Sequence, residues 1–116
     1  MNFEKLRTYC GTLPQSTSDV KWGADLCFLI DTRMFAVFGI HNGKARNVCF
    51  KCDPERFLEL TDQPGIIPAP YLARAHWVLV KKAGALTDSQ AQSLVRRSYE
   101  LIVAKLPKRR QRELLA

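Results

Sequence analysis

The sequence predicts an α+β fold, a two-layer sandwich in which N- and C-terminal helices pack on one face of an antiparallel β-sheet. Three observations point to it. Amphipathic helical patterns stand at both ends of the chain, a series of short apolar segments broken by turn signals lies between them, and Asn42-Gly43 marks a hairpin within that series.

The first helix is expected from about Asn2 to Leu13. Phe3, Leu6, Cys10 and Leu13 share one face, Glu4, Lys5, Arg7 and Thr8 point away from it, and Pro14 follows the stop. Residues 15–19 read as a polar loop. A β-meander is expected next, with a short strand around Val20–Trp22, a turn at Gly23, and a strand near Cys27–Ile30. Asp31-Thr32-Arg33 turns the chain into a strand over Met34–Ile40, which is apolar at nearly every position and therefore central in the sheet. Asn42-Gly43 suits a type I′ turn, whose two central residues both need positive φ, and it returns the chain along Ala45–Lys51. Asp53-Pro54 is expected to open a second, short helix, with the Asp accepting from free amides and the Pro at the first helical position. Phe57, Leu58 and Leu60 belong to that helix, and Pro64-Gly65 ends it. Pro68 and Pro70 exclude the next segment from a central strand. His76–Lys81 reads as a further strand closed at Ala83-Gly84. Thr87-Asp-Ser-Gln90 forms a capping box for a last helix running to about Leu106, ahead of Pro107.

That last helix places polar groups where its apolar stripe should be unbroken. Ala91, Leu94, Val95, Leu101 and Ile102 share a stripe at a 3.6-residue period, and Ser98 and Lys105 fall inside it. A structural reading has Ser98 donate to the Leu94 carbonyl of its own helix while Lys105 runs its methylenes along the apolar face. The other reading is a polar pocket built from Ser98, Lys105 and His76.

With 116 residues, 47% of them hydrophobic and 25% charged, the chain is expected to form one domain over 1–116, with a basic C-terminal end over 107–116. No apolar run approaches the roughly 20 residues of a membrane helix, and the N-terminus lacks a signal-peptide core, so a cytoplasmic protein with no membrane partner is expected. Cys10, Cys27, Cys49 and Cys52 are then reduced thiols. The net charge of +7 favours polyanionic partners, or serves solubility alone.

Several landmarks, in order along nearly the whole chain, resemble the MmcQ/YjbR family of small bacterial proteins. They are Trp22-Gly23, Met34-Phe35-Ala36, Phe50-Lys51-Cys52-Asp53-Pro54, Pro64-Gly65 with Pro68-Ala69-Pro70-Tyr71, His76-Trp77, and Ser98-Tyr99-Glu100 through Lys105-Leu106-Pro107. The resemblance implies a frataxin-like sandwich, and it implies DNA binding through a pair of wing-like hairpins. It brings no catalytic residues with it. Cys49, and a C-terminal end that is longer and more basic, depart from the family's pattern. A frataxin-like fold also raises iron binding, but that role needs an acidic ridge, and the first helix has only Glu4 beside Lys5 and Arg7.

No GxSxG, Walker, HExxH or dinucleotide-glycine pattern is present, so a non-catalytic protein without cofactor or metal is expected. Cys49-Phe-Lys-Cys52 has redox or metal spacing, yet no second pair of ligands accompanies it, and i and i+3 on a strand face opposite sides. They are therefore read as buried structural thiols. His41, beside the hairpin turn, is expected to be exposed; His76, beside Trp77, is read as a packed, hydrogen-bonded histidine rather than a base. The cations cluster instead: Lys44 and Arg46 on the hairpin, Lys81 and Lys82 at a turn, Arg96 and Arg97 on the last helix, and Lys108, Arg109 and Arg110 at the C-terminus. Together they form a candidate footprint for a phosphate backbone, giving affinity for DNA without base readout. Against this, Glu100 is spaced to pair with Arg96 or Arg97, as on an ordinary solvated helix face. The alternative is a protein-interaction or regulatory module without nucleic-acid binding, using Pro68-Ala69-Pro70-Tyr71, a segment that otherwise packs over the sheet edge with Tyr71 filling a gap.

Overall fold

The computed structural model describes residues 1–115. In chain order its elements are α1 (Phe3–Thr12), β1 (Thr17–Lys21), β2 (Asp25–Ile30), β3 (Arg33–His41), β4 (Lys44–Lys51), α2 (Phe57–Thr61), β5 (Ile66–Pro68), β6 (Trp77–Val80), α3 (Asp88–Val103) and α4 (Lys108–Leu115). The strands form one six-stranded antiparallel sheet in the order β1-β2-β3-β4-β6-β5. α1 and α3 cover one face, so the chain is an α+β sandwich with β3 central, as its continuous apolar run requires. No helix among the described residues is long and apolar enough to cross a membrane.

Alternation along the strands divides the apolar residues between the two faces. Leu26, Phe28 and Ile30 of β2, Val48 and Phe50 of β4, and Val78 and Val80 of β6 point to the helices. They meet Leu6 and Cys10 of α1 and Leu94, Val95, Tyr99 and Ile102 of α3. Phe35 stands edge-on to Tyr99 with ring centroids 5.3 Å apart, a favoured aromatic geometry, and the Tyr99 hydroxyl donates to the Pro14 carbonyl at 2.7 Å. Burying each such large side chain contributes about 1.5–3 kcal/mol. A second, smaller cluster of Cys27, Leu29, Val37, Ala69 and Trp77 lies on the face without helices, where only the loop after β5 covers it.

Several expectations are corrected. Thr17–Asp19 are not loop but the start of β1, an edge strand exposed along most of its length, so burial leaves no apolar alternation to read. The Asp53 side chain does not cap the next helix. Its carboxylate is held by Arg97, and Pro54–Arg56 form a single 3-10 turn leading into α2, from which Leu58 projects into solvent. The last helix stops at Val103; Lys105 and Leu106 donate to Ile102 and Val103 in a tight turn, and Lys105 is exposed rather than laid on the stripe. The basic C-terminal end is a helix, α4, which follows Pro107 and buries Leu114 against the main core; the final position of the 107–116 stretch lies outside the described residues.

Ser98 also differs from its expected role. Its hydroxyl donates not to Leu94 but to the Phe35 carbonyl at 2.7 Å, and it accepts from the Lys51 amide at 3.0 Å. The pairing of β3 with β4 ends at Ala36 and Phe50, so the Phe35 carbonyl and the Lys51 amide have no partner across that pair. The serine, fully buried, supplies both. Beside it the Lys51 ammonium donates to the Ala75 carbonyl; burial first, and the nearby Lys105 ammonium second, hold its pKa below the usual lysine range.

Candidate nucleic-acid interface

The hairpin is built by local rules. Asn42 and Gly43 both adopt positive φ, 51° and 77°, as the two-residue turn demands. Below the turn the register shifts: Ile40 faces Ala45 but Gly39 faces Asn47, leaving Arg46 as the extra residue of a bulge. Gly39 permits this. The Asn47 side chain folds over it and accepts its amide at 3.1 Å, where a Cβ on residue 39 would stand 2.6 Å from Asn47 Oδ1. Glu4 of α1 braces the other side, its carboxylate accepting from the Ala45 amide at 2.9 Å and from Arg7 at 3.4 Å. That backbone bond first, then the nearby Arg7 and Lys44 cations, lower the Glu4 pKa. The hairpin is therefore fixed to the helix layer while Lys44 and Arg46 stay exposed.

Antiparallel pairing of Val48 with Val80 brings the end of β6 alongside the base of this hairpin. Lys81, whose amide donates to the Gly65 carbonyl at 2.7 Å, and Lys82 stand exposed there. The β1–β2 turn lies at the same end, since the Ile40 amide donates to the Ala24 carbonyl at 3.0 Å. Two hairpin tips and one strand end thus share a surface. Among the described residues none of Lys44, Arg46, Lys81 and Lys82 makes an ion pair.

The other predicted cations lie at the opposite end of the sheet and are held differently. Arg97 grips Asp53 through two bonds of 2.9 and 3.0 Å and reaches Glu100 at 3.3 Å, while Arg96 pairs with Glu100 at 3.7 Å. Arg110 binds both oxygens of Asp31, in the β2–β3 turn, and Glu113 at 3.0 Å. These bonds hold the carboxyls of Asp53 and Asp31 below their usual range and raise both arginines. Lys108 and Arg109 are exposed on α4, the helix that Arg110 ties to that end. The nine predicted residues do not form one patch.

Cys49 and Cys52 lie on opposite faces. Cys52 belongs to the helix-side core, and Cys49 packs on the helix-free cluster, where burial pushes its thiol up to about 11. His41 is exposed; His76 packs edge-on against Phe57 with centroids 5.6 Å apart, and its backbone carbonyl accepts from the Cys52 amide at 2.9 Å. The helix-free face also holds a groove of about 590 Å³ over Met34, Val37 and Cys49, bordered by Trp22, Asp25 and Tyr71. Tyr71 is fully exposed and fills no gap, contrary to expectation. Tyr71 was expected at a surface only within the alternative protein-interaction segment Pro68-Ala69-Pro70-Tyr71, and Trp22 was not expected as a site residue. The available signal was Trp22 next to Gly23 in a hairpin turn, where a side chain has no core to enter.

The family model YjbR matches residues 11–101. The chain belongs to the YjbR family. The Escherichia coli K12 protein YjbR is 31% identical over 118 residues, which cover 99% of this chain and 98% of that protein. The crystal structure of the Deinococcus radiodurans protein DR2400, with a DUF419 family domain, superposes with a TM-score of 0.80 at 29% identity, covering 97% of this chain and 87% of that one. A Pseudomonas syringae crystal structure shares the fold with a TM-score of 0.69 at 24% identity, over 87% of this chain and 98% of its own. The YjbR resemblance read from the ordered landmarks is thereby established, together with the α+β arrangement.

Proposed function

We propose that this protein is a non-catalytic DNA-binding protein of the cytoplasm that holds the phosphate backbone at the hairpin end, without reading bases there. The supporting observation is the convergence of Lys44, Arg46, Lys81 and Lys82 on one surface where, among the described residues, none of them makes an ion pair. A protein with a net charge of +7 also draws a polyanion from a distance. Arg96, Arg97 and Arg110 drop out of the footprint because their guanidinium groups are committed to carboxylates. Lys108 and Arg109 drop out by position.

A salt titration of duplex DNA binding, read by fluorescence anisotropy, tests the proposal. Four phosphate contacts give a slope of about −3.6 in log affinity against log salt, so affinity falls about a hundredfold between about 50 and 200 mM. No binding at about 50 mM salt refutes it. A protein-interaction role is the second reading, favoured by the full exposure of Tyr71 beside Pro70. A stoichiometric protein partner that co-purifies in place of nucleic acid would establish that reading.

A further inference from the structure

We infer that the groove on the helix-free face receives the unpaired bases of a single-stranded nucleic acid, with Trp22 and Tyr71 as its stacking surfaces. The inference rests on the phosphate-binding reading of the hairpin end and adds to it the form of nucleic acid bound.

The two aromatics are the largest exposed side chains that packing does not explain. Trp22 is 70% exposed and Tyr71 fully so, yet both sit on backbone in the left-handed region, with φ of 52° and 65°. Bulky residues rarely adopt that region, and where they do the surrounding structure fixes them. Trp22 is fixed by the turn between Lys21 and Asp25, which are paired across β1 and β2. Tyr71 is fixed by a loop pinned to β6 through bonds from the Ala69 amide to the Trp77 carbonyl at 3.0 Å and from the Trp77 amide to the Leu72 carbonyl at 3.3 Å. Both rings border the same groove of about 590 Å³.

Charge selects the occupant. The groove floor is apolar, with Asp25 as the one carboxylate on its border, while the unpaired cations stand on the hairpin beside the Trp22 turn. A chain with a continuous anionic backbone and flat apolar faces satisfies both surfaces at once. Stacking on exposed aromatics beside a basic track is the recurring solution for single strands. A duplex keeps its bases stacked on each other and presents phosphates alone, so it reaches the cations but not Trp22 or Tyr71. Asp25 can accept from an exocyclic amine of an unpaired base.

The test uses the whole protein and two fluorescein-labelled probes, a mixed-sequence single strand of about 12 nucleotides and the duplex of the same sequence, at about 50 mM salt. The single strand should bind about tenfold tighter than the duplex. Trp22→Ala and Tyr71→Ala should each weaken single-strand binding about tenfold and leave duplex binding within about twofold, whereas Trp22→Phe should retain most of the affinity. Both positions are exposed, and a circular dichroism melt confirms that the variants fold. Equal affinity for the two probes, or parental single-strand binding by both alanine variants, overturns the inference and leaves the phosphate reading standing. Binding of neither probe overturns both readings. Loss of a co-purifying protein on Tyr71→Ala, with single-strand binding intact, makes the groove a protein site and also overturns the inference.

Discussion

At the hairpin end Lys44, Arg46, Lys81 and Lys82 face solvent and make no ion pair among the described residues, whereas at the other end Arg97 clamps Asp53 through two bonds, Arg110 clamps Asp31 through three, and Ser98 sits buried between two strands. The two ends use the same residue types for opposite purposes. A cation next to an aspartate spends its hydrogen-bonding capacity inside the molecule, and a cation left alone offers it outward. Residue type and clustering along the chain do not separate these cases; the partner does.

Substitution can break the comparison most forcefully at the hairpin end. Changing Lys44, Arg46, Lys81 and Lys82 together to Gln should lower duplex DNA affinity at least about a hundredfold at low salt while the melting temperature holds, and the pair Arg96→Gln with Arg97→Gln should change affinity by less than about twofold. Equal losses from the two sets, measured by anisotropy, would erase the distinction between the ends. Next in size is Ser98→Ala, which strands the Phe35 carbonyl and the Lys51 amide in the core. Urea unfolding should show a loss of about 1–3 kcal/mol with no change in m, and DNA affinity should be untouched. Smaller still is Arg97→Ala. Its pair with Asp53 is partly open to solvent and screened, so the cost should stay below about 1 kcal/mol by the same assay.

Acid sharpens the comparison further. Arg97 and Arg110 hold the carboxyls of Asp53 and Asp31 below their usual range, and the Ala45 amide does the same for Glu4. For a depressed pKa the folded state releases its proton more readily than the unfolded chain. The stabilisation is therefore complete above the ordinary carboxylate value of about 4 and is lost as pH falls through the lower folded values. Thermal melts should be flat from neutral pH to about 5 and should fall below about 4. The Arg97→Ala protein should lose less on acidification than its parent, because part of that contribution is already gone.

What was legible in the sequence was local. Asn42-Gly43 needs only its own two dihedral angles to make the hairpin, and the box of Thr87 and Gln90 closes with both of its bonds, at 2.9 and 3.1 Å. The apolar run of β3 announced a central strand because its middle residues, Phe35 to Phe38, are buried. What was not legible depends on partners remote in the chain. Arg97 finds Asp53 across 44 positions, Arg110 finds Asp31 across 79, and Ser98 finds Phe35 across 63. No spacing rule within a helix reveals such a partner, so a serine that fitted a bond to its own Leu94 carbonyl went elsewhere. The start of β1 was hidden because an exposed edge strand needs no apolar pattern, and α4 was hidden because its charges mask the single buried Leu114.

The Ser98 hydroxyl also bears on how the molecule comes together. Its two partners belong to neighbouring strands, and both are within reach only once Phe35 and Lys51 have been brought side by side. Docking α3 before that alignment leaves the hydroxyl with at most one of them, and aligning the strands without α3 leaves a carbonyl and an amide dry and unmatched. Neither half-finished arrangement is stable alone, so sheet closure and helix docking reinforce one another and unfolding is expected to be all-or-none. The Lys51 amide should accordingly exchange its hydrogen only on global opening, at a rate shared with the core of β3 and β4.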